Sequence, residues 1–430
     1  MPGDPAIGLC GTNRIANPVL TLPQRHRLPL AQVAGNDAAV DPALVVAAAL
    51  VDTGAGGNPL QLSCRRLTAS PSDSAGRRMA RAMKQWTAIR RLLSMLLAII
   101  CLTGCARDEL FRQESYVFGT RVEVVVYGHD PQLANEALAA VLREFDRLHR
   151  AYHAWEPSEL TELNEAIEAG RHHQVSAELA TLLADARRLS ALGDGLFEPA
   201  IGRLIELWGF HSDTFRPKVP DAAAVRALVA RRPRILDLVI NGRTVSSSNR
   251  FVRLDLGGYA KGYALDRAAR ILRDKGIENA LVNIGGNVLA LGAKGDRPWR
   301  IGIQHPRDAG VLASLPLYDG EAVGTSGDYQ RYFEVDGVRY SHLIDPRDGR
   351  PARGTQSLTV LVTRRPGAGT LSDAASKPLF IANDGWPSLA GRYDVAHVLR
   401  VDDQGRITVS SAMHRRLSYH GEVKPAEIVE

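Results

Sequence analysis

Beyond residue 105 the 430-residue chain has no cysteine; its four lie at positions 10, 64, 101 and 105. The part after Cys105 therefore offers no disulfide, no thiolate nucleophile and no cysteine-based zinc site. It also lacks a charge excess. The chain carries 53 Lys and Arg against 47 Asp and Glu; residues 1–105 hold 11 and 5 of these, which leaves 42 of each beyond. A nucleic-acid binder shows a basic excess on its folded part, so that class is set aside. Long apolar runs are scarce too. The run Leu92–Leu102 falls well short of the ~20 residues that a permanent membrane helix needs. No repeat of fixed period and no Pro/Ser linker interrupts 115–420. With 45% hydrophobic and 23% charged residues, the chain reads as an ordinary globular protein.

The short apolar run has a context. In "MKQWTAIRRLLSMLLAIICLTGC" (Met83–Cys105), Lys84, Arg90 and Arg91 precede it and Leu-Thr-Gly-Cys follows. A basic start, an apolar middle and a small-residue end make a secretory signal. The ending resembles the bacterial lipobox, which predicts lipidation of Cys105 and an exported protein anchored to a bacterial membrane on the periplasmic side. Residues 1–82 are Ala-, Pro-, Gly- and Ser-rich without a sustained period. They are expected to be disordered or an upstream extension, with Met79 or Met83 as the start. Residues 83–104 are then the signal peptide, 105–114 a lipidated tether and 115–420 the domain.

Within the domain, "ESYVFGTRVEVVVYG" alternates like a strand, and "NEALAAVLREFDRLHRAY" has helical spacing. "PSELTELNEAIEAG" reads as a capped helix ended by Gly170, and "AELATLLADARRLSALG" as another, leading into the loop "DGLFEPAIGRLIELWGF". Hairpins are predicted about Asn241-Gly242, Gly285-Gly286, Asp336-Gly337 and "DDQG". "LSDAASKPLFIA" reads as a helix that Pro378 should kink. Helices early and strands later predict one α+β domain, of one or two lobes, with mostly antiparallel sheets and flanking helices.

Several chemistries are absent. There is no G-x-S-x-G elbow, no Walker A loop and no H-E-x-x-H, and His172-His173 lies in a polar loop. What remains is a scattered set: Asp255, Lys261, Gly285-Gly286, Thr325-Ser326, His342 with Asp345, and Asp373 with Ser376. Lys261 stands where a strand hands over to a helix in "RLDLGGYAKGYALDRAARIL" (Arg253–Leu272). Unpaired N–H groups and the helix dipole suit an anion there, although a solvated lysine is the plainer reading. Hard oxygens and glycine turns together suit a Mg²⁺–pyrophosphate site.

Eight stretches in order carry a family resemblance: "FGT" (118–120), "WEPSELTELN" (155–164), "DGLFEPAIGRLIELWGF" (194–210), "LDLGGYAKGYALD" (254–266), "ALVNIGGNVLALG" (280–292), "AVGTSGDYQRYF" (322–333), "HLIDPRDGRP" (342–351) and "SDAASKPLF" (372–380). Over about residues 112–418 the chain resembles the ApbE family of FAD:protein FMN transferases. The resemblance implies Mg²⁺-dependent transfer of FMN from FAD to a threonine hydroxyl of an acceptor flavoprotein, commonly a membrane redox-complex subunit, with release of AMP. It implies that Phe118, Trp155, Leu196, Phe197 and Glu198 line the flavin or adenine pocket. It places Asp255 and Lys261 on the ribose–pyrophosphate region, Ile344 against FAD, and His342 as base, where a turn histidine is the alternative. It gives the metal to the Gly258 carbonyl and Asp373, with Ser376 close by.

The departures are specific. The family's metal helix commonly reads Asp-Ala-x-x-Thr, whereas "DAASK" puts Lys377 at the threonine position. Asp373, Ser376 and Lys377 share a helix face at this spacing, and a lysine cannot ligate a metal. Trp155 and Glu198 stand where the family usually has tyrosine and aspartate. Two further readings share every motif: a Mg²⁺-dependent FAD pyrophosphatase giving FMN and AMP, and a non-catalytic periplasmic FAD-binding lipoprotein.

Overall fold

A computed structural model describes residues 110–430 except 213–216, 422 and 424. Cys105, the signal peptide and residues 1–82 lie outside the described residues. The domain is built on one nine-stranded sheet. Its strands are β1 (Leu110–Val117), β2 (Thr120–Tyr127), β3 (Ala280–Ile284), β4 (Asn287–Leu291), β5 (Ala322–Gly327), β6 (Thr355–Val362), β7 (His397–Asp402), β8 (Ile407–Ser410) and β9 (Glu427–Val429), and they lie side by side in chain order. Every neighbouring pair is antiparallel except β8 and β9. The mixed α/β, mostly antiparallel architecture agrees with the sequence reading.

Two boundaries differ from that reading. The segment expected as tether already contains the first half of β1, and β9 extends the sheet past residue 420. The first predicted strand is in fact a hairpin. Phe118 and Gly119 turn it with φ of 57° and 66°, the mirror-image turn geometry that matches strand twist. Alternation continues through the turn, which is why the break was invisible in the pattern.

Both faces of the sheet are covered. Along β2, Val122, Val124 and Val126 point into one core while Val125 points into the other, as the period of two requires. The first core is filled by the helices Pro131–Ala151, Ala260–Asp274 and Ala368–Ile381, with Phe145, Leu265 and Phe380 buried among them. The second is closed by a small sheet of Trp299–Gln304, Val311–Leu317 and Ser418–Tyr419. The Pro131–Ala151 helix starts on Asp130, whose carboxylate accepts the N–H groups of Gln132 and Leu133, and it buries residues at helical spacing from Ala134 to Leu148. The hairpins about Asn241-Gly242, Gly285-Gly286, Asp336-Gly337 and Gln404-Gly405 form as the turn residues predict. Pro378 does not end its helix, which runs on to Ile381.

Candidate functional site

The site is set by a crossing of two helices at glycines. A Cβ on Gly262 would meet the Gly369 carbonyl oxygen and lie 2.6 Å from Asp373 Cβ; a Cβ on Gly369 would lie 2.7 Å from the Gly262 oxygen. Only glycine allows the helices Ala260–Asp274 and Ala368–Ile381 to approach this closely. Asp266, one turn along the first helix, caps the second. Its carboxylate accepts the N–H groups of Gly369 (2.9 Å) and Thr370 (2.8 Å) and the Thr370 hydroxyl (2.6 Å). The opposite side of the Ala368–Ile381 helix rests on β5, where a Cβ on Gly324 would meet the backbone of Ser372.

This crossing brings Lys261 to Asp373. The loop before the first helix folds by an Asx turn, with Gly257 N–H on Asp255 Oδ1 at 2.7 Å, and the helix has no side-chain cap at Tyr259. Asp373 is fully buried. Its Oδ2 accepts the Gly262 N–H at 2.8 Å, and its Oδ1 accepts the Lys377 ammonium, which also donates to the Asp373 carbonyl oxygen at 2.8 Å. Ser376 Oγ donates to the same carbonyl (2.8 Å) and is bonded to Ser326 Oγ (2.7 Å). Gly258 lies beside the stem of Lys377 and the ring of Phe197, each 3.6 Å from the position of an added Cβ.

Lys261 is half-buried and donates no hydrogen bond within the described residues. Burial lowers its ammonium to about 8; Asp373 opposes that shift, while Lys377 and Arg331 add to it. His342 is recessed in the same cleft. Burial, then the charges of Arg331 and Lys261, hold its imidazolium form down to about 3, so the ring is neutral. Its Nδ1 lies 3.1 Å from the Arg331 carbonyl oxygen. A carbonyl only accepts, so Nδ1 carries the proton and Nε2 is left with a free lone pair.

Of the residues expected to hold the flavin nucleotide, Asp255, Trp155 and Phe197 lie by this centre. Burial raises the Asp255 carboxyl above its usual range, against the opposing effects of the Gly257 N–H, Arg331 and the Trp155 indole. Trp155 carries the Arg253 guanidinium on its face at 4.7 Å and tilts toward His211 at 5.5 Å. Phe118, with its strained φ, packs edge-on against Phe145 and His149. Leu196 and Phe197 join the first core at its edge.

Two further expected residues have partners within the fold. Glu198 is buried, and one carboxylate oxygen accepts the N–H groups of Ala200 (3.0 Å) and Ile235 (2.7 Å), so it ties two loops together and burial pushes its carboxyl up to about 7. Ile344 is buried in a third cluster with Ile201, Leu204, Trp208, Phe210 and Phe333. Sequence reasoning missed Arg331, whose charge reaches Asp255, Lys261 and His342. It also missed Phe210, which carries the His342 ring edge-on at 6.4 Å. Both lie inside the motif stretches 194–210 and 322–333, which was the available signal. A cavity of about 200 Å³ between the Gly285-Gly286 turn and the Trp299–Gln304 strand is lined by none of Lys261, His342 and Asp373. The site is therefore defined by converging side chains and not by that cavity.

Comparison with known proteins matches this arrangement to one family. A family model described as the ApbE family matches residues 118–399. A protein named FAD:protein FMN transferase from Rhodobacter capsulatus is 46% identical over 303 residues, 70% of this chain and 57% of that protein. One of the same name from Klebsiella pneumoniae is 37% identical over 264 residues, 60% of this chain and 78% of that one. The chain thus spans little more than half the length of the first relative. The crystal structure of the ApbE protein from Thermotoga maritima superposes with a TM-score of 0.66 at 32% identity, covering 72% of this chain and 99% of that one. The flavin transferase ApbE from Vibrio cholerae gives 0.63 at 28%. With a family model matching residues 118–399 and its fold shared with solved members, the chain belongs to the ApbE family.

Proposed function

We propose that this protein transfers the FMN half of FAD to a threonine hydroxyl of an acceptor protein and releases AMP. The observation that carries the reading is His342, held by the Arg331 carbonyl in the tautomer that leaves Nε2 free to take a proton, in a cleft with three cationic side chains. The threonine Oγ attacks the phosphorus on the FMN side of the pyrophosphate. Its proton passes to His342 Nε2, and the bond from that phosphorus to the bridging oxygen breaks. AMP leaves with the bridging oxygen and the bonding pair. Lys261, Lys377 and Arg331 stand where a diphosphate's charge needs stabilising as that bond breaks. A neutral imidazole whose conjugate acid lies near 3 is a weak base alone; the arriving diphosphate offsets those cations and strengthens it.

The resemblance also implies Mg²⁺ on Gly258, Asp373 and Ser376. The donors present do not fit a divalent ion. Both side-chain oxygens of Asp373 already accept, from the Gly262 N–H and the Lys377 ammonium, and the Ser376 hydroxyl is engaged twice. An ion on that carboxylate would lie about 4 Å from a lysine ammonium, a repulsion of ~8 kcal/mol at an effective dielectric of about 20. Among the described residues no three His, Cys, Asp or Glu converge to hold a metal. No step of the reaction is therefore routed through a metal.

We also infer an exported, lipid-anchored protein facing a membrane redox-complex subunit as acceptor. Its support is the order of segments in Met83–Cys105. Among the described residues no helix is long and apolar enough to cross a membrane. Cys105→Ser should release the processed protein from membranes. Transfer itself is tested by incubating the domain with FAD and a threonine-containing acceptor domain. Flavin fluorescence on the denatured acceptor band supports the reading; free FMN with an unlabelled acceptor indicates the pyrophosphatase, and unchanged FAD a binding protein.

A further inference from the structure

The Lys377–Asp373 pair has a feature that an ordinary ion pair on a helix face lacks. The carboxylate is fully buried and the lysine side chain is only 13% exposed, so the pair sits inside the cleft and not on a solvated surface. The ammonium has three N–H groups. Two of them go to Asp373, one to Oδ1 and one to the carbonyl oxygen, which leaves one for a ligand. The stem crosses Gly258, the residue whose carbonyl the resemblance assigns to a metal. Lys261, on the neighbouring helix, feels both Asp373 and Lys377.

We propose that Lys377 is the resident cation of this site: its ammonium takes the place of a divalent ion beside Asp373, and the protein binds the pyrophosphate of FAD without a metal. This rests on the reading that FAD binds in this cleft. The charge count supports it. One buried carboxylate is matched by one ammonium, and Lys261 and Arg331 supply further charge toward a dianionic pyrophosphate. A divalent ion would leave two lysines and a metal around a single acid. A substitution that removes the ammonium frees an Asp373 oxygen, and a threonine at 377 adds a hard oxygen on the same helix face.

The test is a calorimetric titration of Mg²⁺, and separately of Mn²⁺, into the FAD-free protein, paired with FAD binding in EDTA and in millimolar Mg²⁺. For the native protein the expected result is no metal binding tighter than millimolar, and FAD affinities in the two buffers within about twofold. Lys377→Thr should acquire a metal site and lose about tenfold or more of its FAD affinity in EDTA, recovered by Mg²⁺. Submillimolar metal binding by the native protein that Asp373→Asn removes would overturn the proposal. So would FAD binding that collapses in EDTA. The native titrations stand even where Lys377→Thr fails to fold. A native protein that binds no FAD in either buffer contradicts the functional reading, whereas the FAD-free metal titration still decides the role of Lys377.

Discussion

The backbone N–H of Gly262 donates to Oδ2 of Asp373 at 2.8 Å, joining two helices whose sequences lie 111 residues apart. The bond exists because glycine at 262 lets the helices touch. Gly262→Ala forces a Cβ against Asp373 and the Gly369 carbonyl. The expected outcome is a loss of about 1–3 kcal/mol of unfolding free energy in urea. FAD affinity should weaken too, because Lys261 and Asp373 move apart. An unchanged urea midpoint would mean the helices do not cross here.

Glu198 predicts a pH dependence of stability. Its carboxyl stands at about 7 in the folded protein, against 4.5 for the free group. Between those values the folded state holds more protons than the unfolded one, so stability falls as pH rises from 4.5 to about 7 and then levels. The shift corresponds to about 3 kcal/mol at most. Glu198→Gln keeps an oxygen for the Ala200 and Ile235 N–H groups and should remove this component. Its melting temperature should therefore exceed the native one at pH 8 and approach it at pH 5. Parallel curves for the two proteins would rule out the buried titration.

Lys261 predicts proton uptake on FAD binding. With its ammonium lowered to about 8, part of the population is neutral at pH 8, and a bound pyrophosphate restores the charge. Calorimetry in buffers of different ionisation enthalpy should show a fraction of a proton taken up at pH 8 and almost none at pH 6.5. FAD affinity should decline above pH 8. Lys261→Met should bind FAD more weakly and show no uptake.

His342 predicts an asymmetric pH–rate profile. Its imidazole is already neutral in the free protein well below the ordinary histidine range. The kcat/KM profile should lack an acid limb near 6.5 and fall only above about 8, where Lys261 loses its proton. His342→Ala should lower kcat by about two to four orders of magnitude while FAD affinity changes little. A histidine that only holds its turn would instead lose FAD affinity and stability together.

Much of this was legible in the sequence, for physical reasons that differ by element. The Asn-Gly and Gly-Gly hairpins follow from φ requirements that few residues meet, and the Pro131–Ala151 helix from its apolar spacing. Lys261 was legible because a charged residue among glycines and small residues is unusual at a strand–helix junction, whereas Asp255 and His342 took their roles from the family resemblance of their motif stretches. The pairing of β2 with β3 was not legible, since residues 128–279 separate them and period alone carries no partner. Phe118 hid a turn because an aromatic residue rarely adopts a positive φ. Glu198 was placed on the pocket by its motif, but only coordinates show its carboxylate facing backbone N–H groups. Arg331 lay inside the motif stretch 322–333, but its charge on Asp255, Lys261 and His342 appears only in the folded chain.

The most direct measurement of the account is mass spectrometry of a threonine-containing acceptor domain after incubation with FAD and this protein, with AMP quantified in the same sample. The acceptor should gain the mass of FMN less one water on a single threonine, with one AMP released per modified chain. AMP and free FMN in equal amounts with an unmodified acceptor would show that water, not threonine, attacks the phosphorus, and would contradict it.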